Sequence, residues 1–203
     1  RIGDTVINLS VLEEHNLFTD CDLEKKTFAK SNLNNFLSQS KSTWRSVRIT
    51  VCNLYTNGNI VFEKNSKLRN LAECSVSDVI MSLPVAIGDY TDFYASKEHA
   101  TNVGSMFRDP ENALLPNWSH LPVGYHGRSS TIFSTGKEIH RPNGQKKRPN
   151  DDFPVFGPSE KIDFELEVGF ITGNGPKNGD CISVESAEDS IFGLVLLNDW
   201  SAR

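Results

Sequence analysis

Between residues 162 and 172 the side chains alternate strictly. Ile162, Phe164, Leu166, Val168 and Phe170 fall on one face of an extended chain, and Asp163, Glu165, Glu167 and Gly169 fall on the other. No helix keeps that period, so the chain must build a sheet with one apolar and one acidic side. The apolar run at 191–197 is a buried strand by composition, and it empties into Asn198-Asp199-Trp200-Ser201-Ala202-Arg203.

On the acidic side, Glu165 and Glu167 point the same way, roughly 7 Å apart along the strand. Either that side meets water, or a cation offsets the repulsion between like neighbours. Carboxylates accompanied by neither Cys nor a paired His suit a hard cation, Mg²⁺ or Ca²⁺, rather than zinc. Asp199, at the end of a buried strand, either caps the next element or joins a site. Asp92 either caps a helix or ligates a metal. Together, Asp92, Glu165, Glu167 and Asp199 make a four-carboxylate set that one divalent cation would partly neutralise.

Residues 87–128 concentrate chemically capable side chains among glycines and prolines, where a packed core would place aliphatics. Thr91 or Asp92 is expected to cap a helix running through His99 to about Met106, which would put His99 two turns beyond Asp92 on nearly the same face. Beside a metal, His99 would serve as general base; away from one, it is a surface or core residue. His120 and His126 lie in a Pro/Gly-rich loop and are not ranked by sequence. Tyr94, Arg108, Tyr125 and Arg203 offer hydroxyl and guanidinium donors for carboxylates or a developing oxyanion, or else pack and pair structurally.

Other classes are poorly served. A net charge of −5 and no long basic face argue against a nucleic-acid partner; the basic run 140–148 is broken by Pro and Gly and reads as a solvated loop. No apolar run approaches the ~20 residues of a membrane helix. Cys21, Cys52, Cys74 and Cys181 lie far apart, which favours reduced thiols and a cytoplasmic setting. Gly-x-Ser-x-Gly, phosphate-loop and dinucleotide fingerprints are missing. Residues 1–10 are expected to hold a short strand and residues 31–55 one amphipathic helix with Ser31 as its cap. The domain change is expected near 82–86, giving a small supporting domain over 1–83 and a catalytic region over 84–203. Both ends, Arg1 and Arg203, read as cut.

The chain closely resembles the fumarylacetoacetase family. The resemblance rests on Ile-Gly-Asp-Tyr-Thr-Asp-Phe-Tyr at 87–94, His-Ala-Thr-Asn-Val-Gly at 99–104, Met-Phe-Arg at 106–108 and Leu-Pro-Val-Gly-Tyr-His-Gly-Arg at 121–128. Glu-Leu-Glu at 165–167 and Asn-Asp-Trp-Ser-Ala-Arg at 198–203 continue it. It implies a mostly β fold with some α: a small SH3-like N-terminal domain followed by a mixed β-roll, truncated at Arg203, in a protein that forms a homodimer. The activity implied is hydrolysis of the carbon–carbon bond of 4-fumarylacetoacetate to fumarate and acetoacetate, the last step of tyrosine and phenylalanine degradation. By position, Asp92, Glu165, Glu167 and Asp199 would hold Ca²⁺, His99 would activate water, Tyr94, Arg108 and Tyr125 would line the substrate pocket, and Arg203 would stabilise the oxyanion. The family domain continues beyond Arg203, where a glutamate orienting the His, a Gln, a Lys and a second, Mg²⁺ site are implied. Residues 1–203 alone are therefore expected to be inactive and poorly folded. An acylpyruvate hydrolase or decarboxylase of the same superfamily, or a catalytically silent metal-binding or interaction module, are the competing readings.

Overall fold

Helices dominate the first part of the chain and paired strands the last. The computed structural model describes residues 1–202 apart from 122 and 174, so the expectation for Arg203 lies outside the described residues. Two compact units are present, one made of residues 1–85 with 135–203 and the other of residues 86–134.

In the first unit, strand β1 (Thr5–Ile7) is shorter than the strand expected over 1–10. Asn8 stops it, accepting from Ser10 N and opening helix α1 (Leu9–Glu14). The single helix expected over 31–55 is two: α2 (Asn34–Leu37) and α3 (Lys41–Leu54). Ser38 Oγ donates back to Asn35 O, and Ser40, in extended conformation, caps α3 by accepting from Thr43 N. Short hydroxylated side chains thus compete with the helix backbone at 38–40 and break it. Trp44 Nε1 donates to Phe36 O across the break at 2.8 Å, which locks the two pieces together. Helices α4 (Val61–Lys64) and α5 (Ser66–Ala72) follow, and β2 (Glu73–Ser75) pairs antiparallel with β1.

The core of this unit is Leu12, Phe18, Phe36, Trp44, Val47 and Leu68 with their buried neighbours. The carboxylate of Glu13 accepts from Thr27 N and Phe28 N, tying the connection after α1 down onto that core. Phe192, from the later part of the chain, sets its ring edge-on to Trp44 at 5.1 Å and to Phe36 at 5.8 Å. Gly173 is there because nothing larger fits: a Cβ would stand 2.5 Å from Trp44 Cζ2 and 2.6 Å from Leu37 O.

The second unit opens with β3 (Tyr90–Phe93), then α6 (Lys97–Phe107) and β4 (Gly124–Gly127), which pairs antiparallel with β3. Asp92 is therefore a strand residue rather than a helix cap. Ser96 caps α6, accepting from His99 N.

Back in the first unit, β5 (Asn143–Lys146) pairs with β6 (Val155–Pro158). The basic run 140–148 thus includes a strand, and Lys146 and Arg148 both pair with Glu160. The alternating segment forms β7 (Ile162–Asp163) and β8 (Leu166–Thr172), which face β10 (Ser201–Ala202) and β9 (Ile191–Asn198) respectively. Reciprocal backbone bonds between Glu165 and Asp199 (3.1 and 3.0 Å) bridge the gap, so one register runs through the whole ladder from Ala202 to Gly193.

The chain is accordingly mixed α/β, with strands paired two by two, rather than mostly β. Helices are the main regular elements of residues 1–85, and no closed barrel forms among the described residues. The burial of the ladder inverts the simple amphipathic expectation. Leu166, Val168, Phe170, Leu194 and Leu196 form an exposed apolar face, Leu196 at 80%, while Glu165, Glu167 and Asp199 are half-buried.

Candidate active site

The register of the ladder decides which acids can act together. Glu165 lies opposite Asp199 and Glu167 opposite Leu197, all on the same face because strand side chains alternate. Glu167 and Asp199, diagonal neighbours, each bring a carboxylate oxygen within 4.8 Å of the other. Glu165, directly opposite Asp199, is held by a third residue: Ser201 Oγ donates to its Oε1 at 2.8 Å. Two strands thus set three half-buried carboxylates on one face, two of them within reach of a shared cation. A set of carboxylate oxygens without thiolate or imidazole fits a hard divalent cation.

The second unit assembles the other candidates. Asp92 pairs directly across β3 and β4 with Tyr125, whose hydroxyl donates to Asp92 Oδ2. The pairing extends one step further through Tyr94 N to Val123 O at 2.8 Å, and Trp118 Nε1 donates to Tyr94 O at 3.0 Å. Tyr94 in turn meets the imidazole of His99 edge-on, ring centroids 5.4 Å apart. His99 sits in the first turn of α6, exposed, with its backbone held by the Ser96 cap. His99 and Asp92 consequently do not share a helix face; they are brought to the same region by a strand, a short turn and a helix start.

Arg108 follows the last turn of α6, and its Nη1 donates to Ala113 O at 2.8 Å. That carbonyl packs against Gly104, where a Cβ would clash with it, so α6 ends locked to the turn Pro110–Asn112. One of the five guanidinium donors is used in this way. His126 pairs with Thr91 and so points to the face opposite Asp92 and Tyr125, and His120 closes the turn Pro116–Ser119. Of His99, His120 and His126, only His99 makes a ring contact with another candidate among the described residues, Tyr94.

Sequence reasoning missed Ser201, Trp118 and Ser96. Ser201 was findable, since it stands two residues after Asp199 and must share its face if the strand continues. Trp118 was not, because its role depends on a loop returning to β3.

Residues 1–84 match the family model described as fumarylacetoacetase N-terminal, and residues 89–203 match the one described as fumarylacetoacetate hydrolase C-terminal. Among curated proteins, the chain is 54% identical to a fumarylacetoacetase of Dictyostelium discoideum, 49% to one of Caenorhabditis elegans and 45% to one of Homo sapiens. Each match covers 100% of this chain and 48 or 49% of the relative. The chain thus spans about half the length of the curated relatives it matches.

Proposed function

This chain belongs to the fumarylacetoacetate hydrolase family, and on that premise we propose that the whole protein hydrolyses the carbon–carbon bond of 4-fumarylacetoacetate, releasing fumarate and acetoacetate. Besides the family likeness, the observation that carries this reading is the placement of Glu165, Glu167 and Asp199 on one face of a continuous ladder, with the Glu167 and Asp199 carboxylates close enough to share a cation. Asp92 is the fourth carboxylate of the proposed set. A Ca²⁺ or Mg²⁺ ion held there would polarise the diketone oxygens and lower the cost of charge developing on them.

The remaining roles belong to the chain's own side chains. An imidazole nitrogen of His99 takes a proton from water as the water oxygen attacks the carbonyl carbon of the fumaryl group, which becomes the new carboxylate of fumarate. The carbon–carbon bond then breaks, its electron pair leaving as the enolate of acetoacetate, which takes back the proton held on His99 to give the product. Tyr94, packed against His99, limits the orientations open to the imidazole. Arg108 presents a guanidinium to the substrate's carboxylate and carbonyl groups, Tyr125 lines the pocket with its hydroxyl hydrogen given to Asp92, and Arg203 stabilises the oxyanion.

The domain assignment, 1–83 and 84–203, is supported by the limits of the two family matches. An SH3-like N-terminal domain, a mixed β-roll, a homodimer and a cytoplasmic location are further parts of this proposal. The roll is supported by the bare apolar face of the ladder, which a second layer would cover. No helix among the described residues is long and apolar enough to cross a membrane. Curated relatives covering the whole chain carry the name fumarylacetoacetase, which leaves the acylpyruvate and silent-module readings without support of their own.

Product analysis tests the substrate assignment. The whole protein with 4-fumarylacetoacetate should yield fumarate and acetoacetate in equal amounts, and an acylpyruvate should be turned over poorly. The reverse preference would overturn the assignment.

A further inference from the structure

The carboxylate of Glu165 is held by a side chain that is neither an acid nor a member of the proposed substrate pocket. Ser201 pairs with Asp163 on the strand opposite, which makes it the diagonal neighbour of Glu165 on the acidic face. Its hydroxyl donates to Glu165 Oε1 at 2.8 Å, and both side chains are half-buried. A carboxyl group turns readily about its last single bond, so an unsupported Glu presents its oxygens over a broad arc. A hydroxyl bonded to one oxygen fixes the plane of the group while a carboxylate retains other lone pairs for a cation. The same device recurs in the second unit, where the Tyr125 hydroxyl donates to Asp92. Two carboxylates of the proposed set therefore each accept a hydroxyl hydrogen bond from the strand opposite.

We propose that Ser201 is a positioning residue for the metal centre, acting through Glu165 and setting its affinity for a divalent cation. The inference rests on the metal reading above. Outer partners of metal ligands commonly change affinity by about 10- to 100-fold when removed, because the ligand must then be ordered at the moment of binding.

The test measures Ca²⁺ affinity of the whole protein by titration calorimetry, for wild type, Ser201→Thr and Ser201→Val. Thr and Val have nearly the same shape and strand preference, so any folding defect falls on both, and only the hydroxyl distinguishes them. Ser201→Thr is expected within about threefold of wild type, and Ser201→Val about 10- to 100-fold weaker. Equal affinities for the two variants would overturn the role of Ser201 while leaving the metal site standing. Wild-type protein that binds neither Ca²⁺ nor Mg²⁺ would instead overturn the metal reading, and the proposal with it.

Discussion

Replacing His99 separates the roles of base and metal ligand. His99→Ala should lower kcat of the whole protein by about 100- to 10,000-fold, the usual scale of general-base catalysis. Its Ca²⁺ affinity should stay near wild type, as read by calorimetry. A large loss of Ca²⁺ binding would make His99 a structural element of the site. Glu165→Ala should do the opposite, weakening Ca²⁺ binding first. At this scale the sequence was partly legible: Glu165 and Glu167 share a face because a strand alternates, and that follows from spacing alone, whereas Asp199 joins that face only through the register of the facing strand. Asp92 was harder. Thr91 and Asp92 are good capping residues, but β4 recruits them into a strand, and the cap passes to Ser96. Tertiary pairing overrode local preference there.

Among the elements, close approaches place tight demands on single positions. A Cβ at Gly104 would run into Ala113 O, the same carbonyl that Arg108 binds. Gly104→Ala should therefore destabilise the whole protein by about 1–3 kcal/mol, measured by denaturant unfolding. A neutral result would mean that the turn after α6 can move aside. Tyr55 makes a pH-dependent prediction. Its hydroxyl is buried without a well-formed hydrogen bond, its ring packs on Phe62, and the Glu73 carboxylate stands beside it. Burial, then that neighbouring charge, push the phenol well above its ordinary 10. A raised folded value means that the stabilising contribution is complete below pH 10 and fades as pH rises beyond it. Tyr55→Phe should flatten the alkaline fall in stability; an unchanged profile above pH 10 would contradict this. Element boundaries were only partly legible. Apolar positions stay in phase from Leu33 to Tyr55, so periodicity alone does not reveal the break at 38–40 that Ser38 and Ser40 create.

For the molecule as a whole, the sequence showed that the ladder has an apolar and an acidic side but not which of them is covered. Alternation identifies two faces and is silent on what packs against them. Leu166, Val168, Phe170, Leu194 and Leu196 are exposed in this chain, a patch of the kind that drives association. Residues 1–203 expressed alone should therefore bind a hydrophobic dye and self-associate, and Leu196→Lys should reduce both. A monomeric, dye-silent chain would show that the face is covered by other means. The central claim, metal-dependent cleavage of a carbon–carbon bond, is tested most directly by following the loss of fumarylacetoacetate absorbance with the whole protein before and after stripping divalent ions. Turnover should vanish on chelation and return with added Ca²⁺ or Mg²⁺; full turnover in the stripped protein would contradict the account.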